Sequence, residues 1–301
     1  MVPRARPQSY YGRPVIKPPV WKPEIPWYFF LGGLTGASAM LAWAADVTGN
    51  RKLARNAGII CLAAGTGSPV LLITDLGVPS RFFNMLRVFK VTSPMSVGSW
   101  ILAATGSNAA LATAHARFGL FGRAGRVACG LSALFGLPLA TYTAALVSNT
   151  AVPAWHEARQ ELPFVFAGSA AASAGAAALV VTPPSHAAPA RRLAILGVLV
   201  EGASMQMMLR RLGDLGEPYK SGRAGTYAML AKALSVAGAG TVAARGRRRG
   251  GAALGGALVL AGSIFERWNV FKAGFQSAAD PKYTVGPQRE RIETRNRGDR
   301  G

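Results

Sequence analysis

Apolar residues form long blocks along this sequence, separated by short segments rich in Gly, Pro, Lys and Arg. The blocks are roughly 17 to 25 residues long, the length of helix that crosses a hydrocarbon core of about 30 Å. The pattern therefore predicts an all-α integral membrane protein. Eight transmembrane helices are predicted, at residues 27–45, 56–74, 94–114, 127–152, 163–182, 193–209, 224–244 and 250–265.

An even number of membrane crossings places both ends of the chain on one side of the membrane. We term this side A; it also holds the loops that follow residues 74, 152 and 209. Side B holds the four loops that follow residues 45, 114, 182 and 244. The two sides carry nearly equal numbers of Lys and Arg, so only the basic C-terminal tail favours a cytoplasmic side A.

The composition excludes an ordinary soluble protein. Half of the residues are hydrophobic and only 16% are charged, whereas soluble domains carry about 25% charged residues. The net charge of +21 comes mainly from Lys and Arg between the apolar blocks and in the tails. No basic stretch is interleaved with aromatic residues that could stack on bases, so we expect contact with anionic lipid and not with nucleic acid. A multi-pass protein of the plasma membrane is predicted.

Cysteine and histidine usage limits the cofactors that the chain could hold. Cys61 and Cys129 both lie inside apolar blocks, and two thiolates are too few for an iron–sulfur cluster. His115, His156 and His186 lie at or beyond the block ends, whereas a membrane b-type haem usually needs two histidines at membrane depth. We therefore expect no haem, no iron–sulfur cluster and no metal site in this chain.

Distinctive polar and aromatic residues lie at the side-A ends of the first four predicted helices. A quinone pocket needs flat apolar or aromatic walls, hydrogen-bond donors near the two carbonyl oxygens, and a carboxylate that accepts a proton. Asp75 is the predicted catalytic proton acceptor. The predicted quinone-binding residues are Tyr28, Arg81, Ser93, Met95, Tyr142 and Trp155. The alternative interpretation is an interfacial belt of aromatic residues beside Pro- and Gly-rich turns.

Two charged residues are predicted at the centre of the membrane. Glu201 lies eight residues from either end of the sixth predicted helix, and Lys232 lies eight residues into the seventh. A charge at this depth costs at least about 2.5–3.5 kcal/mol unless it is neutralised, paired or hydrated. A Glu201–Lys232 pair is therefore expected, either as a proton pathway or as a structural link. Glu266 and Arg267 are predicted at the side-A end of the last helix, within reach of the interface.

Several short motifs occur in a fixed order along the chain. They are Tyr10-Tyr11-Gly12-Arg13-Pro14, Leu31-Gly32-Gly33, the turn from Asp75 to Phe82, Ser93-Pro94-Met95-Ser96, Tyr142-Thr143, Val152-Pro153-Ala154-Trp155, and residues 267–274 with 277–281. This ordered set resembles the NrfD family, the membrane subunits of polysulfide-reductase-like complexes, over nearly the whole chain. Two residues depart from the family pattern: Val97 stands where many relatives have Trp, and Ala144 where Gly is usual.

The resemblance implies a fold of two four-helix bundles, with a quinone site among the first four helices and no redox centre in the chain. It implies a menaquinone or ubiquinone substrate, a four-cluster ferredoxin-like iron–sulfur partner and a molybdopterin catalytic subunit, as in polysulfide reductase or formate dehydrogenase. The expected divisions are a basic, Pro-rich tail at 1–25, the first bundle at 26–155, the second at 156–268 and a basic tail at 269–301.

A membrane transporter of a small solute or ion is the alternative function. Helices interrupted by Pro69 and Pro138, together with charges at the membrane centre, would also suit a solute site. No clear sequence repeat relates the two halves, and the polar cluster lies at one face, which favours the oxidoreductase subunit.

Overall fold

The structure is a computed structural model that describes residues 13–289. Within this range the regular elements are helices, and eight of them are long. Tyr10, Tyr11 and Gly12 of the N-terminal motif, and residues 290–301 of the basic tail, lie outside the described residues. The long helices are α1 Glu24–Val47, α2 Arg51–Asp75, α3 Pro94–Phe118, α4 Gly122–Ser148, α5 Leu162–Val181, α6 Ala188–Leu212, α7 Gly222–Arg245 and α8 Arg249–Ala279.

Six of the long helices are long and apolar enough to cross a membrane: α1, α2, α4, α5, α6 and α7. This confirms a multi-pass helical membrane protein, but it confirms six spans and not the eight that the sequence predicts. Polar Ser, Thr and Asn side chains along α3 lower its mean hydropathy. In α8 the same effect comes from charged residues, including Glu266 and Arg267.

The last helix is much longer than its apolar block. The sequence ends the last span at Phe265 and begins a tail at Asn269, yet α8 continues without a break to Ala279. Glu266 and Arg267 end the hydropathy signal but do not stop a helix, and the next helix-breaking sequence is Asp280-Pro281. These two charged residues therefore lie well inside α8, and their predicted place at the interface is wrong.

The helices pack as two bundles with the same pairing. In the first bundle α1 packs on α2, α3 packs on α4, and α1 contacts α4; in the second bundle α5 packs on α6, α7 packs on α8, and α5 contacts α8. The second and third helices of each bundle contact each other less closely. The bundles meet mainly through α1 and α5, with α4 and α8 at the sides.

Small residues set the closest helix crossings, since they let two backbones approach in a membrane. A Cβ atom added to Gly36 of α1 would lie 2.4 Å from the Gly136 carbonyl oxygen of α4. Gly168 of α5 is just as close to α6, because its Cβ would lie 2.5 Å from the backbone nitrogen of Glu201. The second crossing holds the backbone of α5 against the backbone of α6 at Glu201.

The connections differ between the two sides of the membrane. On side B, consecutive helices are joined by short turns, such as the one between Val47 and Arg51. On side A, the connections are longer and contain six short helical segments. These are Pro79–Arg81, Phe82–Met85, Pro153–Glu157, Ala158–Gln160, Gly213–Gly216 and Glu217–Lys220.

Candidate functional site

The predicted cluster lies where α2 ends and α3 begins, on side A. Asp75 is the last residue of α2, and Ser93 is the N-cap residue of α3. Because α2 and α3 run antiparallel next to each other, these two ends lie at the same edge of the first bundle. Residues 76–92 join them and expose several large apolar side chains, among them Phe83 and Phe89.

Asp75 is half-buried and tied to the segment that precedes α1. The backbone N–H of Lys22 donates a hydrogen bond to Asp75 Oδ1 at 3.2 Å. Glu24, the first residue of α1, is close enough to interact electrostatically with Asp75, and its Oε2 is buried without a hydrogen-bond partner in the described residues. Arg81 is exposed, and no ion pair between Asp75 and Arg81 occurs in residues 13–289. The carboxyl groups of Asp75 and Glu24 therefore lie near each other at this edge.

The Ser-Pro-Met-Ser sequence fixes the loop onto the first turn of α3. The Ser93 side chain accepts a hydrogen bond from the backbone N–H of Ser96 at 3.4 Å, as an N-cap residue does. Ser96 Oγ donates to the Val88 carbonyl oxygen and accepts from the Lys90 N–H, both at 3.0 Å. Met95 is half-buried beside them. Both serine side chains thus have structural roles: Ser93 caps α3, and Ser96 fixes the end of the loop to its first turn.

Tyr142 of α4 lies directly against the first turns of α3. A Cβ atom added to Gly98 would lie 2.0 Å from Tyr142 Cε2, so the tyrosine ring occupies the space that any other residue at position 98 would need. Tyr142 is half-buried and packs on the same core cluster that contains Tyr28. Tyr28 itself is 1% exposed. Asp75, Ser93, Met95 and Tyr142 are therefore half-buried near this edge, and Arg81 is exposed in the loop that follows α2.

Trp155 occupies a buried structural position. It is fully buried, its indole Nε1–H donates to the Val270 carbonyl oxygen of α8 at 2.7 Å, and its ring stacks on Trp21 with centroids 5.1 Å apart. A Cβ added to Gly274 would lie 1.9 Å from its Cε2. Trp155 therefore joins the first bundle, the N-terminal segment and α8 instead of standing at the accessible edge.

A second polar cluster lies inside the second bundle. Glu201 of α6 interacts electrostatically with Glu266 and Arg267 of α8, and all three are buried. Arg267 Nε lies 3.5 Å from Glu266 Oε2, and Arg267 Nη2 donates to the Phe166 carbonyl oxygen at 3.0 Å. The guanidinium group also lies 3.7 Å from the centre of the Phe166 ring, a cation–π contact.

The predicted Glu201–Lys232 pair is absent from the described residues, and Lys232 lies exposed on α7. Glu201 lies inside α6 as predicted, but the charged residues near it are Glu266 and Arg267 of α8. Glu201 Oε2 and both Glu266 carboxylate oxygens make no hydrogen bond of ordinary geometry within residues 13–289, although the Ser169 hydroxyl group lies near both carboxyl groups. Two carboxylates therefore face one guanidinium group, so full ionisation would leave one net negative charge buried.

The sequence contains a signal for the missed residue Glu24. Antiparallel helices joined by a short turn place the start of the first beside the end of the second, which brings Glu24 next to Asp75. The sequence does not indicate that Glu266 and Arg267 are buried. The apolar block ends at Phe265, just before them, so hydropathy places them at the end of the helix.

The fold and this edge cluster define a multi-pass helical membrane protein with polar residues gathered at one end of its first bundle. Residues 15–215 match the family model described as "Polysulphide reductase, NrfD", and the chain belongs to the NrfD family. It is therefore a membrane subunit of a redox complex and assembles with oxidoreductase subunits. The matched range covers α1 to α6 and includes Asp75, Tyr142 and Glu201. No curated protein matches the chain.

Proposed function

We propose that this chain exchanges electrons and protons between a membrane quinone and an iron–sulfur partner subunit, and anchors that partner to the plasma membrane. The half-buried carboxyl group of Asp75 at the edge of the first bundle is the observation that carries the proposal. A quinone that takes up electrons must also take up protons, and a carboxyl group at the membrane edge can supply or accept them. Menaquinone and ubiquinone both fit this chemistry.

The proposed quinone headgroup lies among Asp75, Met95 and Tyr142, below the loop of residues 76–92. Met95 and the Tyr142 ring supply apolar and aromatic surface for a flat ring. The Tyr142 hydroxyl group can donate a hydrogen bond to a quinone carbonyl oxygen. Glu24 beside Asp75 gives a second carboxyl group through which a proton can reach the aqueous edge. Tyr28 and Ser93 support this surface from the core and from the start of α3.

The proposed partners are a four-cluster ferredoxin-like iron–sulfur subunit and a molybdopterin catalytic subunit. Membership of the NrfD family supports an oxidoreductase partner. We propose that α3 and α8 also cross the membrane, because each has the length of its neighbours and packs along a spanning helix. The polar residues of α8 then face the protein interior, as Glu266 and Arg267 do.

We also propose that Glu201 and Glu266 form a proton-holding pair in the second bundle. A proton held between the two carboxyl groups would remove the net charge left by a single guanidinium group. Lys232 has no part in this pathway, because it lies on the exposed face of α7. The transporter alternative would use the same buried cluster to bind a solute, and it would need no iron–sulfur partner.

The replacement Asp75→Asn tests the quinone site, because it removes the proton acceptor and keeps the side-chain volume. We expect quinone-coupled turnover of the assembled complex to fall by about 10²-fold or more, the usual contribution of a positioned acid or base. Electron transfer from the catalytic subunit to a soluble dye should remain. Turnover is measured with a short-chain quinone in the purified complex.

Asp214→Asn is the matched control, because Asp214 is an exposed carboxylate on side A in the second bundle. It should leave quinone turnover unchanged. Full quinone activity in the assembled Asp75→Asn complex would contradict the assignment of the site. Purification of the chain without any redox subunit, together with solute uptake in vesicles, would favour the transporter.

A further inference from the structure

A cavity of about 540 Å³ opens in the first bundle on side B, at the opposite end from the proposed quinone site. Its walls come from the last turns of α1 and α3 and the first turns of α2 and α4. Ligand sites in proteins usually have volumes of about 300–1,000 Å³. The deepest lining residues, Cys61 and Ser132, lie ten residues into their helices, about 15 Å from the helix ends at 1.5 Å per residue.

Small side chains create this cavity. The lining residues between the four helices are mainly alanine and glycine, which are too short to fill the space at the centre of a bundle. α2 and α3 are also the least closely packed neighbours in the bundle, and a hydrogen bond of 3.3 Å from Thr113 Oγ1 to the Gly58 carbonyl oxygen connects them. The interior surface is therefore small and apolar, with a few hydroxyl and thiol groups.

The mouth of the cavity is strongly basic. Four arginines line it: Arg51, Arg55, Arg117 and Arg126. His115 lies among them, with Nδ1 2.9 Å from the Leu120 carbonyl oxygen. The acidic residue in the lining is Asp46. No ion pair engages these four guanidinium groups within residues 13–289.

Some basic residues of side A, unlike these four arginines, form ion pairs. There Arg211 pairs with Glu161, Arg159 lies 3.5 Å from Glu157, and Lys282 lies 2.9 Å from Glu217. Side B carries twelve Lys and Arg residues, and Asp46 is its acidic residue. General attraction to anionic lipid would explain basic residues spread along the surface. It does not explain why four unpaired arginines surround the mouth of one cavity.

We propose that this cavity binds a phosphate-bearing anion. A guanidinium group offers several N–H donors in a planar fork that matches phosphate oxygens, and basic pockets between membrane helices suit phosphate headgroups. The small apolar interior suits the uncharged part of the same molecule. The anion is either the headgroup of an anionic phospholipid or a soluble organic phosphate. The site does not depend on the proposed quinone chemistry at side A.

Cys129 lines the cavity and provides a local probe of occupancy. The chain contains two cysteines, so Cys61→Ala leaves Cys129 as its single thiol, and labelling is read by mass spectrometry of this chain, apart from the cysteines of its partners. The full-length chain in its complex is placed in phosphatidylcholine nanodiscs, and the rate of Cys129 labelling by a small methanethiosulfonate is measured. Phosphatidylglycerol in the nanodisc, or glycerol 3-phosphate in the buffer, is then added. We expect at least one of them to slow labelling by about tenfold.

The double replacement Arg55→Gln with Arg126→Gln should abolish this protection. The matched control is Arg247→Gln with Arg248→Gln, which removes two side-B charges that do not line the cavity and should leave protection intact. Protection by phosphatidylglycerol alone identifies a lipid headgroup, and protection by glycerol 3-phosphate identifies a soluble phosphate; both support the proposal. Equal loss of protection in the two double variants would overturn it, because surface charge alone would then explain the binding.

A second measurement avoids the cysteine variant. Native mass spectrometry of the unmodified chain, released from membranes that contain phosphatidylglycerol, should show retained phospholipid or added glycerol 3-phosphate. The Arg55→Gln, Arg126→Gln variant should retain at least about tenfold less, a change in affinity of about 1.4 kcal/mol. If neither phosphate protects Cys129 and neither is retained by the wild-type chain, the cavity does not bind a phosphate-bearing anion.

Discussion

Arg267 is the single residue whose replacement we expect to cost the most stability. It is 1% exposed and is held by Glu266, the Phe166 ring and the Phe166 carbonyl oxygen. Arg267→Met leaves two carboxyl groups buried without their cation, and breaking a buried ion pair from one side costs about 3–5 kcal/mol. The thermal midpoint of the detergent-solubilised chain should fall sharply. Adding Glu266→Gln should restore part of the loss, because a buried charge is then removed.

Lys232→Met is the control for Arg267→Met, since it also exchanges a cation for methionine but at an exposed position of α7. It should not lower stability, because it breaks no ion pair within residues 13–289. A large loss of stability with Lys232→Met and none with Arg267→Met would mean that Glu201 pairs with Lys232 after all. Both variants should be compared in the same detergent, because the hydration of Lys232 depends on its surroundings.

The depth of Glu201 could be predicted from the sequence, but its partners could not. Counting residues from both helix ends placed Glu201 at mid-helix, and Glu201 does lie buried inside α6. Its neighbours depend on how α6 and α8 are rotated about their axes, which the hydrophobic blocks do not encode because both helices are apolar on most faces.

At the scale of the helix, the contact between α3 and Tyr142 can be tested with two glycines of one helix. Gly98→Ala places a Cβ atom 2.0 Å from Tyr142 Cε2, so the ring must move. We expect quinone turnover to fall at least about tenfold. A shift of about 1 Å in a group that positions the substrate can lower the rate by up to about 10²-fold. Gly106→Ala is the control, because no atom lies within 4 Å of the added Cβ. It should leave turnover unchanged and raise helix stability by up to about 1 kcal/mol.

Unchanged turnover with Gly98→Ala would remove Tyr142 from the proposed quinone surface. Reduced turnover with both glycine variants would point to a general effect of α3 on assembly. The assembled fraction is therefore measured by size-exclusion chromatography before the quinone assay.

The ion pair that links the start of α5 to the end of α6 is expected to make stability depend on pH. Arg211 near the end of α6 donates hydrogen bonds to both carboxylate oxygens of Glu161, which precedes α5, and this contact lowers the pKa of the Glu161 carboxyl group. A lowered pKa means that the pair stabilises the fold above the unfolded pKa of about 4.3 and loses this effect as pH falls through the lower folded value. Glu161→Gln should therefore lower stability at neutral pH, by about 1 kcal/mol or less. Thermal midpoints measured from neutral pH to below about 4 should converge with those of the wild type.

Most helix positions could be predicted, but the helix ends could not, and α8 shows why. Apolar blocks show which parts of a helix contact lipid. A helix itself ends only at residues that interrupt its backbone hydrogen bonds, such as proline. In α8 the apolar block ends at Phe265 and the backbone continues to Ala279. The additional turns carry Trp268 and Phe271, which pack on α7 and on Trp155. These turns therefore belong to the protein core and not to a tail.

At the scale of the whole molecule, nearly all the ordered structure outside the eight long helices lies on side A. Side A has the longer loops, the short helices and the N-terminal segment that stacks Trp21 on Trp155. Side B has short turns and a basic surface. Two different surfaces thus suit two different contacts, with a protein partner expected on side A and anionic phosphate on side B.

The last prediction is that the iron–sulfur partner docks on side A, because electrons must reach a quinone near Asp75 over a short distance. An amine-reactive cross-linker should link the partner to exposed side-A lysines, namely Lys17, Lys22, Lys90, Lys220 and Lys282. Lys52, the exposed lysine of side B, should stay unlinked, while a monofunctional reagent confirms that it reacts normally. Cross-links from Lys52 with none from side A would place the partner at the other end of α2, about 35 Å from Asp75 at 1.5 Å per residue. That distance would contradict direct exchange between the partner and the proposed site.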